Sequence, residues 1–292
     1  MGYPVDNAVI MAAGASSRFA PLSYEMPKGL IPVRGEILIE RQIRQLQEAG
    51  IPEIIVVTGY RQEQFAYLAD KYGVRLVHNP DYRIRNNHSS IYAVREYLGN
   101  SYICSSDNYF TENPFEPEVD DAYYAAVYAE GDTAEWCMQT DADGYIRHVQ
   151  IGGRDAWYML GHVFWNRAFT DSFLRILTRE YAKAETVSKL WEAIYKEHLD
   201  ELHLRMRRYD AGLIFEFDSL DELRLFDTGY LSDTRSQIIK HIAAEMSCSE
   251  AELTHFDALK GPDGNEAVGF SFRHGADTYR YIYTTKELRK EG

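Results

Sequence analysis

Positive charge, cysteine and long apolar runs are all scarce in this chain. Lys and Arg number 31 against 45 Asp and Glu, giving a formal charge of −14. An acidic surface repels nucleic-acid phosphates, and no basic patch of the size such a partner needs is present. Any anionic substrate must therefore be drawn in by cations gathered locally. The three cysteines, Cys104, Cys137 and Cys248, are far apart and without metal-ligand spacing; they read as reduced, packed thiols. No apolar run approaches the roughly 20 residues that cross a bilayer. The opening runs into the strand-like VDNAVIMAAG without a basic leader, so the expected compartment is the cytosol. The nine histidines do not cluster at metal spacing, and His88 and His162 read as structural. Neither a G-x-S-x-G elbow nor a G-x-x-x-x-G-K-[ST] loop occurs.

What is there is ordinary globular material with an excess of aromatics. Its 292 residues are 45% apolar and include 22 tyrosines, enough for one large domain with a small appendage. An apolar run over Val9–Ala13 leads into a Gly/Ser loop, then ILIERQIRQLQEAG in helical periodicity, IIVVTG, QEQFAYLADKYG, VRLVHN, SSIYAVREYLG and SYICSSD. Gly73 and Gly99 read as helix stops. Strand alternating with helix implies right-handed crossovers and an open, doubly wound α/β sheet. Ligands of such sheets sit beyond the carboxyl ends of the strands, so the loops after Ala13, Gly59 and Ser106 should be neighbours. From Ala122 the pattern turns to strands, with a hairpin at Asp143-Gly144, then to helices around Phe169–Ala182 and Val187–Leu199. A boundary near 230 divides a domain over 1–230 from a small α+β appendage over 231–292. The appendage reads as an amphipathic helix, RSQIIKHIAAEM, a Ser249/Glu252 cap and two strands around HGAD.

The chemistry concentrates in MAAGASSRFAPLSYEMPKGLIPVRG, residues 11–35. A strand ending in Ala12-Ala13-Gly14, followed by Ala15 and other small side chains, lets backbone amides approach phosphate oxygens closely. Arg18 supplies a rigid fork for a polyphosphate, and Lys28 on the same loop reaches the phosphate under attack. A Gly turn with two solvated cations is the bland alternative; the full AAG-x-x-x-R…P-K-x-L-x-P-x-x-G string favours the functional reading.

That string resembles the signature of nucleotidyltransferases with a Rossmann-like core, a group including sugar-nucleotide pyrophosphorylases and small cytidylyltransferases. The resemblance covers about residues 5–230. Ala15-Ser16-Ser17 stands where many members carry an extra glycine. The resemblance is closest to bacterial CTP:phosphocholine cytidylyltransferases, through VVTGYRQEQF, the N-x-x-S-I-Y match over Asn87–Tyr92 and the aromatic-rich second half. It implies a cytidylyl transfer from CTP to a small phosphorylated acceptor, phosphocholine first. The backbone at Ala12–Ala15, with Arg18, Lys28, Asn87 and Ser89, would hold the nucleotide, and Lys28 and Arg18 would be the catalytic cations. It also implies Mg²⁺ on two carboxylates, Asp107 at the end of SYICSSD and Asp218 at the end of EFD, with Glu216 as competitor. Their bland alternatives are a strand-end turn for Asp107 and a helix cap for Asp218.

A trimethylammonium group donates no hydrogen bond, so its site calls for aromatic faces and a carboxylate. Tyr92, Glu135, Trp136, Tyr158, Trp165 and Trp191 are the acceptor-site candidates, with Glu192 adjoining the last; each aromatic could instead be core. Open alternatives are 2-aminoethylphosphonate, phosphoethanolamine or a sugar 1-phosphate as acceptor. A catalytically silent nucleotide-binding module is the alternative of a different class. The tail pair GFSFRHGADTYRYIYT resembles the opening hairpin of choline-kinase-like N-lobes, but kinase activity is not expected. A role of the tail in homo-oligomerisation or as a lid is left open.

Overall fold

The computed structural model describes residues 2–261 and 266–291. Two compact units emerge, both discontinuous: residues 1–14 with 39–216, and residues 15–38 with 217–292. The boundary anticipated near 230 falls inside the second unit.

A seven-stranded mixed sheet organises the first unit. Its strands in chain order are β1 (Asn7–Ala12), β2 (Ile54–Thr58), β3 (Arg75–His78), β4 (Ser101–Ser105), β5 (Tyr123–Thr140), β6 (Ile146–Trp165) and β7 (Arg205–Arg208). Across the sheet they run β7-β5-β6-β4-β1-β2-β3. The β4-β1-β2-β3 part is parallel and β6 enters antiparallel to β4, which matches the anticipated doubly wound α/β class. Every residue of β2 is buried, as expected for a strand covered on both faces. Gly73 ends the helix Tyr67–Tyr72 at φ 69°, a left-handed conformation that glycine adopts without steric cost. Gly99 differs from expectation. The helix stops at Ala93, and Gly99 instead allows close approach, since a Cβ there would lie 2.3 Å from Asp6 Oδ2.

The segments read as several short strands after Ala122 are two long ones. β5 and β6 form a single antiparallel ribbon from Tyr123↔Phe164 to Thr140↔Ile146, interrupted by register shifts. Bulges of this kind bend and twist a ribbon. Its inner end packs in the main core with Trp165, Phe169, Phe173, Trp191 and Tyr195. RMRRY forms the edge strand β7, parallel to β5.

The second unit joins the loop 15–38 to everything after Glu216. Beyond the anticipated helix, here Gln237–Met246, lies a four-stranded antiparallel sheet of Leu253–Lys260, Ala267–His274, Asp277–Ile282 and Glu287–Lys290. Two of these strands were not anticipated. The Ser249/Glu252 capping box is present, on a short 3₁₀ turn. Among the described residues no helix is long and apolar enough to cross a membrane.

Candidate active site

The parallel register brings three strand ends of the first unit together. Ala12 lies opposite Thr58, and Met11 opposite Ser105. Tyr60 N donates to Ala13 O at 2.9 Å and Ser106 N to Met11 O at 3.2 Å. The loops after Ala13, Gly59 and Ser106 are thus neighbours, as the doubly wound pattern requires. Ala12 and Ala13 are buried while a Cβ on Gly14 would meet nothing within 4 Å. Partly exposed Asp107 follows β4 in this group.

Glu216 lies in the same unit. Its strand, Ile214–Glu216, pairs antiparallel with Asn108–Phe110, setting Glu216 opposite Asn108, which donates to Glu216 Oε2 at 3.2 Å. The strand stops there, so Asp218 lies beyond its end. Ser219, rather than Asp218, caps the following helix by accepting from Glu222 N.

Arg18, Lys28 and Asp218 come together within the second unit. Arg18 Nη1 lies 2.5 Å from Asp218 Oδ2, and Lys28 Nζ lies 3.7 Å from Asp218 Oδ1. The two cations differ in setting: Arg18 is 72% exposed and Lys28 only 6%. Lys28 also sits 5.7 Å from the centre of the Phe19 ring. Burying an ammonium is costly unless a counter-charge accompanies it, and Asp218 supplies one. Such a cluster holds two positive charges in fixed positions beside one negative, poised for a polyanion. Ala15 is partly exposed where the chain enters this unit.

The helix His88–Ala93 uses its signature residues differently from expectation. Asn87 makes no cap for its own helix. Its Oδ1 accepts from Trp191 N at 2.7 Å and its Nδ2 donates to Glu192 Oε2 at 3.1 Å, so it ties two helices and orients a carboxylate. Ser89 is 1% exposed and its hydroxyl is engaged by Asn86 O and Asn79 Nδ2; the expectation that it contacts nucleotide is corrected, because its polar group is enclosed and satisfied. Tyr92 stacks on Tyr181 at 3.9 Å and carries the Arg95 guanidinium 4.2 Å from its ring centre. Its ring packs the helix rather than offering a face to an acceptor.

The aromatic candidates divide by burial. Trp165 and Trp191 are 0% and 1% exposed. They pack against Phe173 and each other, which corrects their assignment to an acceptor cage: both are core. Trp136 and Tyr158 are partly exposed and Glu135 is exposed. Trp136 carries Lys196 Nζ 5.9 Å from its ring centre. Tyr158 is held above its usual pKa by burial first, then by the charges of Glu135 and Glu216.

Two groups that sequence reasoning passed over or touched only lightly complete the picture. Tyr124 stacks on Trp191 at 5.6 Å and donates to Glu192 Oε1 at 3.4 Å. Glu192, noted beforehand only as a neighbour of Trp191, has its carboxyl pushed up to about 7 by desolvation, against the lowering effect of Asn87 and Tyr124. A carboxyl so poised gains most when a cation joins it. Tyr124 gives no sequence signal beyond its place in an apolar strand. The buried histidines have structural partners: His88 Nδ1 meets Lys189 O, and His162 Nε2 meets the Tyr123 hydroxyl.

A parallel sheet with a small-residue turn at the end of β1 and a following loop bearing fixed cations is the arrangement of a nucleotidyltransferase. Residues 8–115 match the family described as MobA-like NTP transferase domain. The chain is 36% identical to the choline-phosphate cytidylyltransferase of Streptococcus pneumoniae over 218 residues, 75% of this chain and 95% of that protein. It is 37% identical to the 2-aminoethylphosphonate cytidylyltransferase of Lancefieldella rimae over 234 residues, 79% and 95% of the two chains. The solved structure of the S. pneumoniae CTP:phosphocholine cytidylyltransferase superposes with a TM-score of 0.73, covering 76% of this chain and 97% of that one at 35% identity. The chain belongs to this cytidylyltransferase family of nucleotidyltransferases.

Proposed function

We propose that the protein transfers the cytidylyl group of CTP to phosphocholine, giving CDP-choline and pyrophosphate. The observation that carries the reading is the cluster that Arg18 and Lys28, on the loop that continues from β1, form with Asp218. An acceptor phosphate oxygen attacks the α-phosphorus in line; its bond forms as the bond to the pyrophosphate oxygen breaks. The phosphate is already anionic near neutral pH, so no general base is required. Bringing two polyanions together is the barrier, and charge neutralisation with positioning lowers it. Buried Lys28 stabilises charge growing at the α-phosphate. Exposed Arg18 holds the β- and γ-phosphates, and the amides of Ala12–Ala15 approach them where side chains are small.

Mg²⁺ is the cofactor this reading calls for. Carboxylate oxygens suit it, and among the described residues no three acidic, His or Cys side chains form a ready-made cage, so such an ion would take most ligands from substrate and water. Asp107 and Asp218 are the proposed ligands, with Glu216, opposite Asn108, as the competitor to Asp218. When bound, the ion neutralises the triphosphate oxygens. Asp107→Ala is expected to abolish the response to Mg²⁺; an unchanged Mg²⁺ titration removes Asp107 from the ligand set.

For the acceptor, the ring faces of Trp136 and Tyr158 and the carboxylates of Glu135 and Glu192 offer the chemistry a quaternary ammonium needs. A second reading has 2-aminoethylphosphonate as acceptor. The three carboxylates Glu135, Glu192 and Glu216 around Tyr124 and Tyr158 favour it, since a primary ammonium donates hydrogen bonds to such groups. Pyrophosphate release measured for a panel of acceptors crossed with all four nucleoside triphosphates decides. CTP with phosphocholine is expected to give the highest kcat/KM. Preference for another acceptor or base replaces the reading, and CTP binding without release for any acceptor revives a silent module. Cytosolic location and self-association belong to the same reading and are tested by fractionation and by sedimentation.

A further inference from the structure

We infer that the described part of the tail after residue 230, to which the proposed reaction assigns no task, braces the cationic loop through Arg235, the helix Gln237–Met246 and Tyr283, and that Glu25 is the positioning residue through which it does so. The inference rests on the reading of Arg18 and Lys28 as triphosphate ligands. The loop 15–38 is irregular: two 3₁₀ turns, Ser17–Phe19 and Lys28–Leu30, flank a single helical turn, Leu22–Glu25. Such a segment has few internal hydrogen bonds to fix it, so its geometry must come from what it packs against.

Within the second unit it is gripped at four points. Glu25 Oε1 accepts from Gln237 N at 2.8 Å and Ile238 N at 3.2 Å. Those are the first two amides of the helix Gln237–Met246, and Ser236 takes the third, from Ile239. A helix of this length leaves four amides without internal partners. Here a carboxylate from the loop, more than 200 residues earlier in the chain, satisfies two of them and meets the positive end of the dipole. The other oxygen, Oε2, is buried without a hydrogen-bond partner among the described residues, so the carboxylate is committed to the helix rather than to water. Next to it, Tyr24 stacks on Tyr283 at 3.7 Å with ring planes 11° apart. Further along, Pro32 O accepts from Tyr230 Oη at 2.6 Å and from Arg235 at 2.9 Å. Arg34 N donates to Asp227 Oδ2 at 2.7 Å, with its guanidinium 3.8 Å from the Phe226 ring centre. Glu25 and Tyr24 lie between Arg18 and Lys28 in sequence, so their anchors set the spacing of the two cations.

A brace of this kind acts on ground-state binding of the triphosphate and leaves acceptor binding alone. Steady-state pyrophosphate release by the full-length protein tests it, with hydrogen exchange over residues 15–38 as a readout independent of turnover. Glu25→Ala is expected to raise the KM for CTP at least fivefold, to leave the KM for phosphocholine within twofold, and to speed exchange in the loop. Glu25→Gln keeps an acceptor oxygen and is expected to recover most of the loss. Tyr24→Ala should shift the same parameters, and melting curves identify any variant that merely fails to fold. Unchanged KM for CTP in folded Glu25→Ala and Tyr24→Ala proteins, with Arg18→Ala still raising it, overturns the brace. If Arg18→Ala leaves that KM unchanged too, the loop is not the triphosphate site and the reading beneath the inference fails first.

Discussion

Lys28 and Glu192 show opposite uses of a charge withdrawn from solvent. Lys28 is buried beside one carboxylate, so it keeps a fixed ammonium whose loss cannot be replaced by water. Lys28→Ala is expected to lower kcat by about two to three orders of magnitude, the scale for removing a transition-state charge stabiliser; pyrophosphate release at saturating substrates measures it. Glu192 is a carboxyl raised to about 7 by desolvation, so it is partly protonated near neutrality. Linkage fixes the sign for stability: a folded-state pKa above the ordinary value favours the protonated fold at low pH, and that contribution is lost as pH rises through about 7. Glu192→Gln should therefore flatten the pH dependence of stability between the ordinary carboxyl range and about 7, as urea midpoints would report. Acceptor binding runs the other way. The KM for a cationic acceptor is expected to fall as pH rises through that range in the native protein, whereas the Glu192→Gln variant should follow only the acceptor's own titration. Parallel profiles for the two proteins remove Glu192 from the acceptor site.

At the level of elements, burial decided which aromatics are scaffold. Trp165 and Trp191 pack between the ribbon and the helices Arg167–Tyr181 and Trp191–Glu197, and deleting either ring leaves a large cavity. Trp165→Ala is expected to cost about 3–5 kcal/mol of stability, read by urea unfolding. A folded fraction of the variant should retain the native KM for acceptor, whereas Trp136→Ala should raise that KM with little loss of stability. Sequence could not separate these tryptophans. Trp136, Trp165 and Trp191 all lie in the half that follows the parallel core, and for the two on the ribbon, Trp136 and Trp165, the bulges that reset the β5–β6 register decide which side each faces. By contrast, Ala12–Gly14 and Asp107 were legible, because strand ends in a parallel sheet are placed by topology alone. Arg18 and Lys28 stand out in the sequence through their motif. That Asp218 joins them was expected from the resemblance alone, since 190 or more residues separate Asp218 from either cation and no local pattern encodes such a contact.

The whole molecule is not a string of consecutive domains. Hydrophobic periodicity located the helix Gln237–Met246 and a hairpin, and a shift in pattern near 230 suggested a domain boundary. Tertiary packing instead joins residues 15–38 to the C-terminal part, a relation that periodicity carries no information about. Cutting the chain after residue 230 is thus expected to remove the partners of Glu25 and Tyr24, so that CTP affinity falls together with protection of the loop; circular dichroism and nucleotide titration would follow it. Discontinuity also fixes an order of events during synthesis. Tyr24 leaves the ribosome about 260 residues before Tyr283, its stacking partner, an interval of roughly 13–50 s at about 5–20 residues per second. For much of that time the parallel strands β1–β4, complete by Ser105, are present while the cationic loop still lacks the helix Gln237–Met246 and Tyr283. Competence to bind nucleotide should therefore arrive late, with the final strands, and not with the sheet.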